Sequence, residues 1–494
     1  MGAEFQLKQQ AKMFSQNVYL PAVYDLHRCC RVERNLVVFA DAHHDGRPEA
    51  MELLYRRLKQ SRVQPAYHIV EMYLDFGRAS KAEVMEYSTR FMKLYARASV
   101  VVVCDNFLPV ASCRKKRDTM VVQLWHACGC YKKFGYDAKD DIPEGYHGDV
   151  YRNLSLVTVS AEAAVEPFSS AMHRTHGEVQ AIGVSRTDLY FSRKWRYRCI
   201  EAFRELYPDV YEETGAGSGR ESDAGSGGEA GAGSGRETGA RGGRKTGSLR
   251  KRRKVVLWAP TFRGNAGQPG LMDLDTEKLQ RQLGKEYLVL TRVHPHMKEA
   301  RKAVKNHCPI PTEQLYPVVD VLIADYSSLI YEYLLAAQIQ NHQDSNGNLG
   351  VHGGLVLYVP DLDTYMAQRG TYMDIHEIPG EIVKDADRLA DAVRRAAGDE
   401  GLRIRSCHAD VAMQATGEGT PEFSTGERKA ETGTRGSDTE GQVSGWTTDL
   451  EEKRDAFLKR YLSACDGQST ARIAERIRAH CFGEDGETSG PVDA

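Results

Sequence analysis

The sequence predicts an α/β protein of two lobes, each built around a parallel sheet. Short apolar runs alternate with helical patterns in two blocks, residues 1–212 and 250–405. Strands that alternate with helices form parallel sheets with right-handed crossovers. Between the blocks, residues 214–248 hold 13 of the 45 glycines and almost no apolar surface. This composition predicts a flexible linker over residues 213–249.

Each block contains four predicted strands. In the first block the strands are residues 36–40, 100–104, 121–125 and 156–159, with helices at 49–58 and 195–206. In the second block they are residues 255–258, 287–292, 319–324 and 355–359, with helices at 328–337 and 387–397. Parallel sheets bind ligands beyond the carboxyl ends of their strands, so the cleft between the two lobes is the expected site.

Three segments lie outside these elements. Residues 406–446 are rich in Thr, Gly, Glu and Ser and are predicted to be mobile, whereas an ordered tail is expected over 447–494. Five consecutive cations, residues 250–254, end the linker. They are either the solvated flank of the next strand or a patch attracted to anionic lipid.

Composition and charge exclude several classes of protein. The chain has 494 residues, with 66 Lys and Arg against 68 Asp and Glu, so a surface built to coat nucleic acid is not expected. The N-terminal residues lack the apolar core of a secretory signal, and the apolar runs are too short to span a bilayer. We therefore expect a cytoplasmic protein, or one bound to a membrane from the cytoplasmic side. The 11 cysteines follow neither a disulfide pattern nor a zinc ribbon, which predicts reduced thiols.

The most informative stretch is a buried strand that ends at Asp325. Ser327 or Ser328 then caps a helix, and Glu332 lies one turn into that helix. The N–H groups of a helix N-terminus together with two hydroxyls form a good phosphate receptor. Glu332 could accept hydrogen bonds from ribose hydroxyls of the same ligand. The alternative is an ordinary helix cap with Glu332 on a solvated face.

Arg292 and His294 follow another strand of the second block. Pro295 restricts His294 to extended backbone geometry. Arg292 offers bidentate donors to a phosphate, and His294 can give a hydrogen bond or a proton to a leaving phosphate. Three further polar groups are predicted near the same cleft: Thr261, Arg263 and Arg369.

His126 follows an apolar strand of the first block and is expected at the lip of the cleft. A histidine has an ordinary pKa near 6.5, so at neutral pH it can remove a proton from a hydroxyl. Lys132 and Lys133 follow closely and could hold an anionic acceptor. The alternative is a half-buried structural histidine beside Trp125.

A metal site is not predicted. His43, His44 and Asp45 are consecutive and have the residue types of metal ligands. Adjacent side chains of a strand point to opposite faces, however, and no third ligand is evident in the sequence.

Taken together, these motifs resemble the CDP-glycerol glycerophosphotransferases, the family of teichoic-acid primases and polymerases. The chain departs from the family pattern at Ala127-Cys128, where the family usually has Gly and then Ser or Thr. The resemblance rests on motifs that occur in the family's order: Leu124-Trp125-His126, Lys132-Lys133-Phe134-Gly135, Ala259-Pro260-Thr261-Phe262-Arg263, Arg292-Val293-His294-Pro295, Asp325-Tyr326-Ser327-Ser328 and Arg369-Gly370-Thr371-Tyr372.

The resemblance implies a GT-B-like fold, in which two Rossmann-type lobes face a central cleft and a C-terminal helix crosses back onto the first lobe. It also implies transfer of glycerol phosphate from CDP-glycerol to a hydroxyl of a membrane-linked acceptor, with release of CMP and without a metal or other cofactor. By the same resemblance, His126 would be the general base. Arg292, His294, Ser327 and Ser328 would hold the donor pyrophosphate, and Glu332 would contact the ribose.

Three alternatives remain open. CDP-ribitol could replace CDP-glycerol as the donor. A glycosyltransferase that uses a nucleotide sugar could have the same two-lobed fold, because fold does not fix chemistry. A non-catalytic protein that binds a nucleotide or polymer as a scaffold is the third alternative. Because the implied acceptor is linked to a lipid, peripheral attachment to the inner face of the cell membrane is expected.

Overall fold

The computed structural model describes residues 13–139, 141–142, 148–211, 252–261, 263, 272, 274–293, 304, 306–343, 353–399 and 439–483. The predicted linker over 213–249 lies outside these residues, and so does residue 294. Within the described residues the chain forms two parallel sheets, one in each lobe. This arrangement confirms the predicted α/β class with two Rossmann-type lobes.

The first lobe contains a six-stranded sheet in the order β2-β1-β3-β4-β5-β6. All neighbouring strands are parallel. The strands are β1 (Glu33–Asp41), β2 (His68–Tyr73), β3 (Ala98–Val103), β4 (Met120–Gln123), β5 (Leu156–Thr158) and β6 (Val179–Gln180). The helices are α1 (Leu20–Leu26), α2 (Glu49–Lys59), α3 (Lys81–Tyr95), α4 (Leu108–Ala111), α5 (Val165–Met172) and α6 (Arg193–Leu206).

The second lobe contains a five-stranded parallel sheet in the order β11-β10-β9-β7-β8. The strands are β7 (Lys254–Trp258), β8 (Tyr287–Thr291), β9 (Val321–Ala324), β10 (Gly354–Tyr358) and β11 (Glu381–Val383). The helices are α7 (Thr276–Leu283), α8 (Thr312–Leu315), α9 (Leu329–Gln343), α10 (Leu362–Gln368) and α11 (Leu389–Ala396).

The central strands are apolar along their whole length because helices cover both faces of each sheet. In β3 every residue from Ala98 to Val103 is buried. One face of the first sheet packs on α2 and the other on α3 and α5, so that the lobe has two apolar layers. This packing fixes the positions of the loops at the carboxyl ends of the strands.

Two C-terminal helices join the lobes. Helix α12 (Thr439–Leu462) packs on α9 of the second lobe, where Phe457 stacks on Tyr331 with ring centroids 5.2 Å apart. Helix α13 (Ser469–Phe482) buries Ile473 and Ile477 in the core of the first lobe. Asp188 caps α13 by accepting a hydrogen bond from the backbone N–H of Thr470 at 2.7 Å. The chain therefore returns from the second lobe to the first.

One expectation about the segments outside the sheets needs correction. Helix α12 begins at Thr439, inside the segment over 406–446 that was predicted to be mobile, whereas residues 406–438 lie outside the described part. The spacing of Val443, Trp446 and Leu450 matches a helical repeat, which the low-complexity composition of the segment conceals.

Among residues 250–254, two of the cations that the structure describes form ion pairs with acidic side chains of the second lobe. Arg252 forms a bidentate pair with Asp320 at 2.7 and 2.8 Å, and Lys254 binds Asp399 at 2.6 Å. These contacts favour a structural flank of β7 over a lipid-binding patch. Among the helices that the structure describes, none is long and apolar enough to cross a membrane.

Candidate functional site

The loop after β4 carries His126 into the cleft. Trp125 has φ of 58°, a left-handed conformation that turns the chain sharply at the end of the strand. The rings of Trp125 and His126 stack with centroids 4.5 Å apart. The His126 side chain is 49% exposed, although it lies among protein atoms of the cleft. Desolvation by these surrounding atoms lowers the pKa of His126, against the opposing effect of the Asp105 charge, and this favours the neutral imidazole.

Asp105, which the sequence analysis did not select, positions His126. It follows β3, and its carboxylate lies 3.3 Å from Nδ1 of His126. The Gln123 side chain connects the two loops, because its amide donates to the Asp105 carbonyl at 3.1 Å and its oxygen accepts from the Trp125 N–H at 3.0 Å. With Nδ1 occupied by a carboxylate, Nε2 is the nitrogen left to accept a proton.

The loop of His126 packs directly on the second lobe. A Cβ on Gly129 would lie 2.5 Å from the ring of Tyr331 in α9, and Gly129 has φ of 70°. Only glycine allows both this close approach and this conformation. The left-handed residues of the loop are thus Trp125 and Gly129, and Ala127 is not among them. The departure from the family pattern at Ala127 therefore imposes no strain on this backbone.

Lys132 and Lys133 form a contact between the lobes. Lys132 pairs with Thr371 as an antiparallel bridge, and the Lys133 N–H donates to the Gly370 carbonyl at 3.2 Å. Arg369 donates to the Lys133 carbonyl at 3.1 Å and pairs with Asp141. Burial, reinforced by the charge of Arg369, lowers the pKa of Lys132. The sequence-predicted cations Lys132, Lys133 and Arg369 are thus brought together at one edge of the cleft.

Asp325 is the centre of a buried network in the second lobe. Its carboxylate accepts from the N–H and the hydroxyl of Thr261, at 3.1 and 2.6 Å, and pairs with Arg263 at 2.8 Å. Arg263 also forms a bidentate pair with Asp361. Thr261, Arg263 and Asp325 thus hold the loops after β7 and β9 to one another, and the predicted contact of these residues with substrate stays a prediction.

Ser327 and Ser328 keep the predicted place at the start of α9. Both are partly exposed, and the hydroxyl of Ser327 accepts a long hydrogen bond of 3.4 Å from the Leu329 N–H. Arg292, at the end of β8, donates to the Cys308 carbonyl at 2.9 Å. His294 lies outside the described residues. Ser327, Ser328 and the helix N-terminus thus lie where a helix of this kind can bind an anion.

Glu332 is not placed to contact a ribose, in contrast to the expectation. Its side chain is 1% exposed, and its two carboxylate oxygens bind Arg186 and Tyr190 of the first lobe. The charge of Arg186 also contributes to the lowered pKa of His126. Glu332 and Arg186 therefore form an ion pair between the lobes, close to the loop of His126. Arg186 follows Gly183 and the short edge strand β6, a pattern that the sequence analysis overlooked.

Metal ligands are not clustered in the described part of the chain. No group of three or more His, Cys, Asp or Glu side chains there has the geometry to hold a metal ion.

Comparison with known proteins agrees with this geometry. The sequence profile described as CDP-Glycerol:Poly(glycerophosphate) glycerophosphotransferase matches residues 22–207, 235–339 and 353–409. The chain belongs to this family. The resemblance seen in the motifs is thereby confirmed.

Relatives of known name fall into two groups. A teichoic acid ribitol-phosphate primase of Bacillus spizizenii is 27% identical over 378 residues, which are 72% of this chain and 82% of that one. A teichoic acid glycerol-phosphate primase of Bacillus subtilis is 24% identical over 313 residues, which are 60% of this chain and 65% of that one.

A solved structure supports the fold. The structure of the wall teichoic acid polymerase TagF superposes with a TM-score of 0.58 at 17% identity, covering 97% of this chain and 99% of that one. This likeness, together with the two parallel sheets that face a cleft, confirms the GT-B-like fold. Members of both the glycerol and the ribitol groups belong to the teichoic-acid enzymes, so the family membership makes this chain a CDP-polyol phosphotransferase of that kind.

Proposed function

We propose that this protein transfers glycerol phosphate from CDP-glycerol to a hydroxyl of a lipid-linked teichoic-acid acceptor and releases CMP. The observation that carries the proposal is the juxtaposition of His126 with the start of α9. A proton acceptor on one lobe meets an anion receptor on the other, joined through the contact of Gly129 with Tyr331. A phosphoryl transfer needs these two functions side by side.

His126 acts as the general base in this proposal. Nε2 takes the proton of the acceptor hydroxyl while the acceptor oxygen bonds to the phosphorus that carries glycerol. The bond from that phosphorus to the bridging oxygen breaks, and the electron pair leaves with CMP. The lowered pKa of His126 keeps the base unprotonated at neutral pH, and Asp105 stabilises the imidazolium that forms.

The second lobe holds the donor. Ser327, Ser328 and the N–H groups at the start of α9 bind the pyrophosphate, with Arg292 and His294 as additional ligands by family resemblance. Negative charge develops on the leaving CMP, and fixed donors at a helix N-terminus stabilise such charge without reorganisation. Lys132 and Arg369 border the cleft and attract the anionic substrates.

CDP-ribitol is the second candidate donor. It is favoured by one observation, the ribitol-phosphate primase whose alignment covers more of this chain than that of the glycerol-phosphate primase. The residues that would read the polyol length are not distinguished by the contacts at His126 or at α9.

Peripheral contact with the inner face of the membrane is part of the proposal. Phe14 and Val18, before α1, and Leu26, at its last position, are 62%, 52% and 78% exposed. Arg28 and Arg31 follow and are also exposed. Apolar side chains next to exposed cations suit a surface of anionic lipid. Flotation with vesicles of phosphatidylglycerol at low salt is expected to recover the protein, and Val18→Asp is expected to leave it unbound.

The test of the function is a donor panel with a synthetic lipid-linked acceptor. CDP-glycerol, CDP-ribitol and a UDP-sugar are offered in parallel, and release of the nucleotide is measured. Release of CMP with CDP-glycerol, unchanged by EDTA because no metal is invoked, supports the proposal. Release of CMP with CDP-ribitol alone would identify CDP-ribitol as the donor. Turnover of the UDP-sugar alone would show that the protein is a glycosyltransferase and not a phosphotransferase. Binding of the donor without any turnover would indicate a scaffold.

A further inference from the structure

A second pair of histidine and aspartate lies on the same sheet edge as His126 and is not used by the mechanism above. Asp41 ends β1, and its side chain is 1% exposed. It accepts a hydrogen bond from Nδ1 of His44 at 2.9 Å and one from the His43 N–H at 2.8 Å. The His44 side chain is 56% exposed. A buried carboxylate thus holds one ring nitrogen of an imidazole that is otherwise more than half exposed.

The Asp41–His44 pair lies where the order of strands in the sheet reverses, a place at which parallel sheets commonly bind ligands. In the first sheet β1 lies between β2 and β3, so the chain direction across the sheet reverses between β1 and β3. Crevices at such a reversal, beyond the carboxyl ends of the strands, are ligand sites. Asp41 follows the end of β1 there, and Asp105 follows β3. His43 also reaches across this crevice, with Nε2 3.3 Å from the Asn106 carbonyl.

The two histidines of this edge have opposite electrostatic surroundings. The hydrogen bond to Asp41 raises the pKa of His44 despite its partial burial, with further contributions from Asp105 and Asp75. Burial would raise the pKa of Asp41, but the hydrogen bonds from His44 and His43 lower it overall. His126 is instead held neutral. Surroundings that shift the pKa values of two titratable groups in opposite directions suit them to different roles. Here His126 is suited to act as a base and His44 to act as a cation.

A charged His44 has a defined hydrogen-bonding capacity. Both ring nitrogens of an imidazolium are donors, and Nδ1 donates to Asp41. Nε2 then carries a proton that can be donated to an anion in the cleft. Because the Asp41 carboxylate is paired with His44, it does not repel an anion as a free carboxylate would.

We propose that His44, oriented by Asp41, binds a phosphate group of the acceptor, next to the hydroxyl that His126 activates. The acceptor is then a chain whose reacting hydroxyl belongs to a polyol phosphate unit, and not a bare sugar hydroxyl. Neighbouring strands lie about 4.8 Å apart, so β1 and β4 are separated by about 10 Å and their side chains reach into this gap. One polyol phosphate unit can contact both histidines. This inference rests on the proposed function and names the class of its acceptor.

The test compares two acceptors with wild type and the variant His44→Gln. Both acceptors carry the same lipid anchor and sugar, but only one ends in a glycerol phosphate unit. With that acceptor, His44→Gln is expected to raise KM about tenfold and to change kcat less than twofold, whereas KM for the acceptor without the unit stays constant. Wild-type KM for the phosphate-bearing acceptor is expected to rise with pH as the imidazolium loses its proton, and the variant is expected to lose this dependence.

Two controls keep the result interpretable. His43→Gln changes the neighbouring imidazole, whose Nε2 lies 3.3 Å from the Asn106 carbonyl, and is expected to change KM less than twofold. Asp41→Asn is expected to reproduce the effect of His44→Gln. Thermal unfolding of each variant is measured to verify folding.

Each remaining outcome counts against one of the two proposals. An equal effect of His44→Gln on both acceptors, no effect on either, or a wild-type enzyme that uses only the bare sugar acceptor would overturn the role of His44. Absence of CMP release by the wild-type protein with both acceptors and both CDP-polyols would instead contradict the proposed function.

Discussion

The two sheet edges that face the cleft carry polar residues in opposite states. On the first lobe, His126 and His44 are about half exposed, and each has one carboxylate partner. On the second lobe, Asp325 and Glu332 are almost fully buried, and their carboxylates are saturated by Thr261, Arg263, Arg186 and Tyr190. Polar residues of one edge are available to a substrate, while many of those on the other stabilise loops.

This difference shows why residue type alone does not define a role. A carboxylate beside a phosphate receptor suggests a ligand contact, yet a buried carboxylate must be paired to offset its desolvation. The second lobe uses its carboxylates to fix the start of α9 and the loop after β7. We infer that the donor is met there mainly by Ser327, Ser328 and backbone N–H groups.

The largest effect on stability is expected from removal of a carboxylate on the buried edge. Glu332→Ala leaves the Arg186 guanidinium in the lobe interface without its partner, and we expect the free energy of unfolding to fall by about 3–5 kcal/mol. Denaturant unfolding measures this change, and Glu332→Gln, which keeps a hydrogen-bonding oxygen, is expected to lose less. An unchanged stability combined with a raised KM for CDP-glycerol would instead support a contact between Glu332 and the ribose of the donor.

Removal of the matching carboxylate on the exposed edge is expected to affect catalysis and not stability. Asp105→Asn should reduce kcat about 100-fold, because His126 loses its orienting charge, while stability changes by less than about 1 kcal/mol. Asp105 raises the pKa of His126, so its loss lowers that pKa further and moves the acid limb of the kcat/KM profile to lower pH. A shift of the limb to higher pH would contradict this role.

A smaller effect is expected where the lobes meet at Gly370. Its φ of 75° is unfavourable for alanine, and a Cβ would lie 3.5 Å from the Lys133 side chain. Gly370→Ala should therefore lower the free energy of unfolding by about 1–2 kcal/mol. Gly177→Ala, at an ordinary φ with open surroundings, is the control and should change stability little. Equal stabilities of the two variants would show that the contact between Gly370 and Lys133 contributes little to the free energy of unfolding.

The central elements of the fold were predictable because they are continuous apolar runs. The predicted strand at 100–104 corresponds to β3, and the predicted helix at 49–58 to α2. The edge strands β2, β6 and β11 were missed, since they are short or half exposed and lack a strong apolar pattern. The start of α12 was concealed by the composition of its neighbours.

The site was predictable only in part. His126, Ser327 and Ser328 were predicted because they follow buried strands, and the structure places each of them just beyond the carboxyl end of such a strand. Asp105 also follows a buried strand and could have been found by the same signal. The partners of Glu332 come from a segment 146 residues away, and no local pattern specifies such a contact.

The central claim is that the first lobe moves the proton and the second lobe holds the donor, and the variant His126→Ala tests it most directly. Transfer and the Kd for CDP-glycerol are measured on the same preparation, with His68→Ala on the exposed edge strand as the control. We expect kcat to fall by about 10²- to 10⁴-fold while Kd changes less than twofold. Retained turnover, or a loss of donor binding as large as the loss of turnover, would contradict the account.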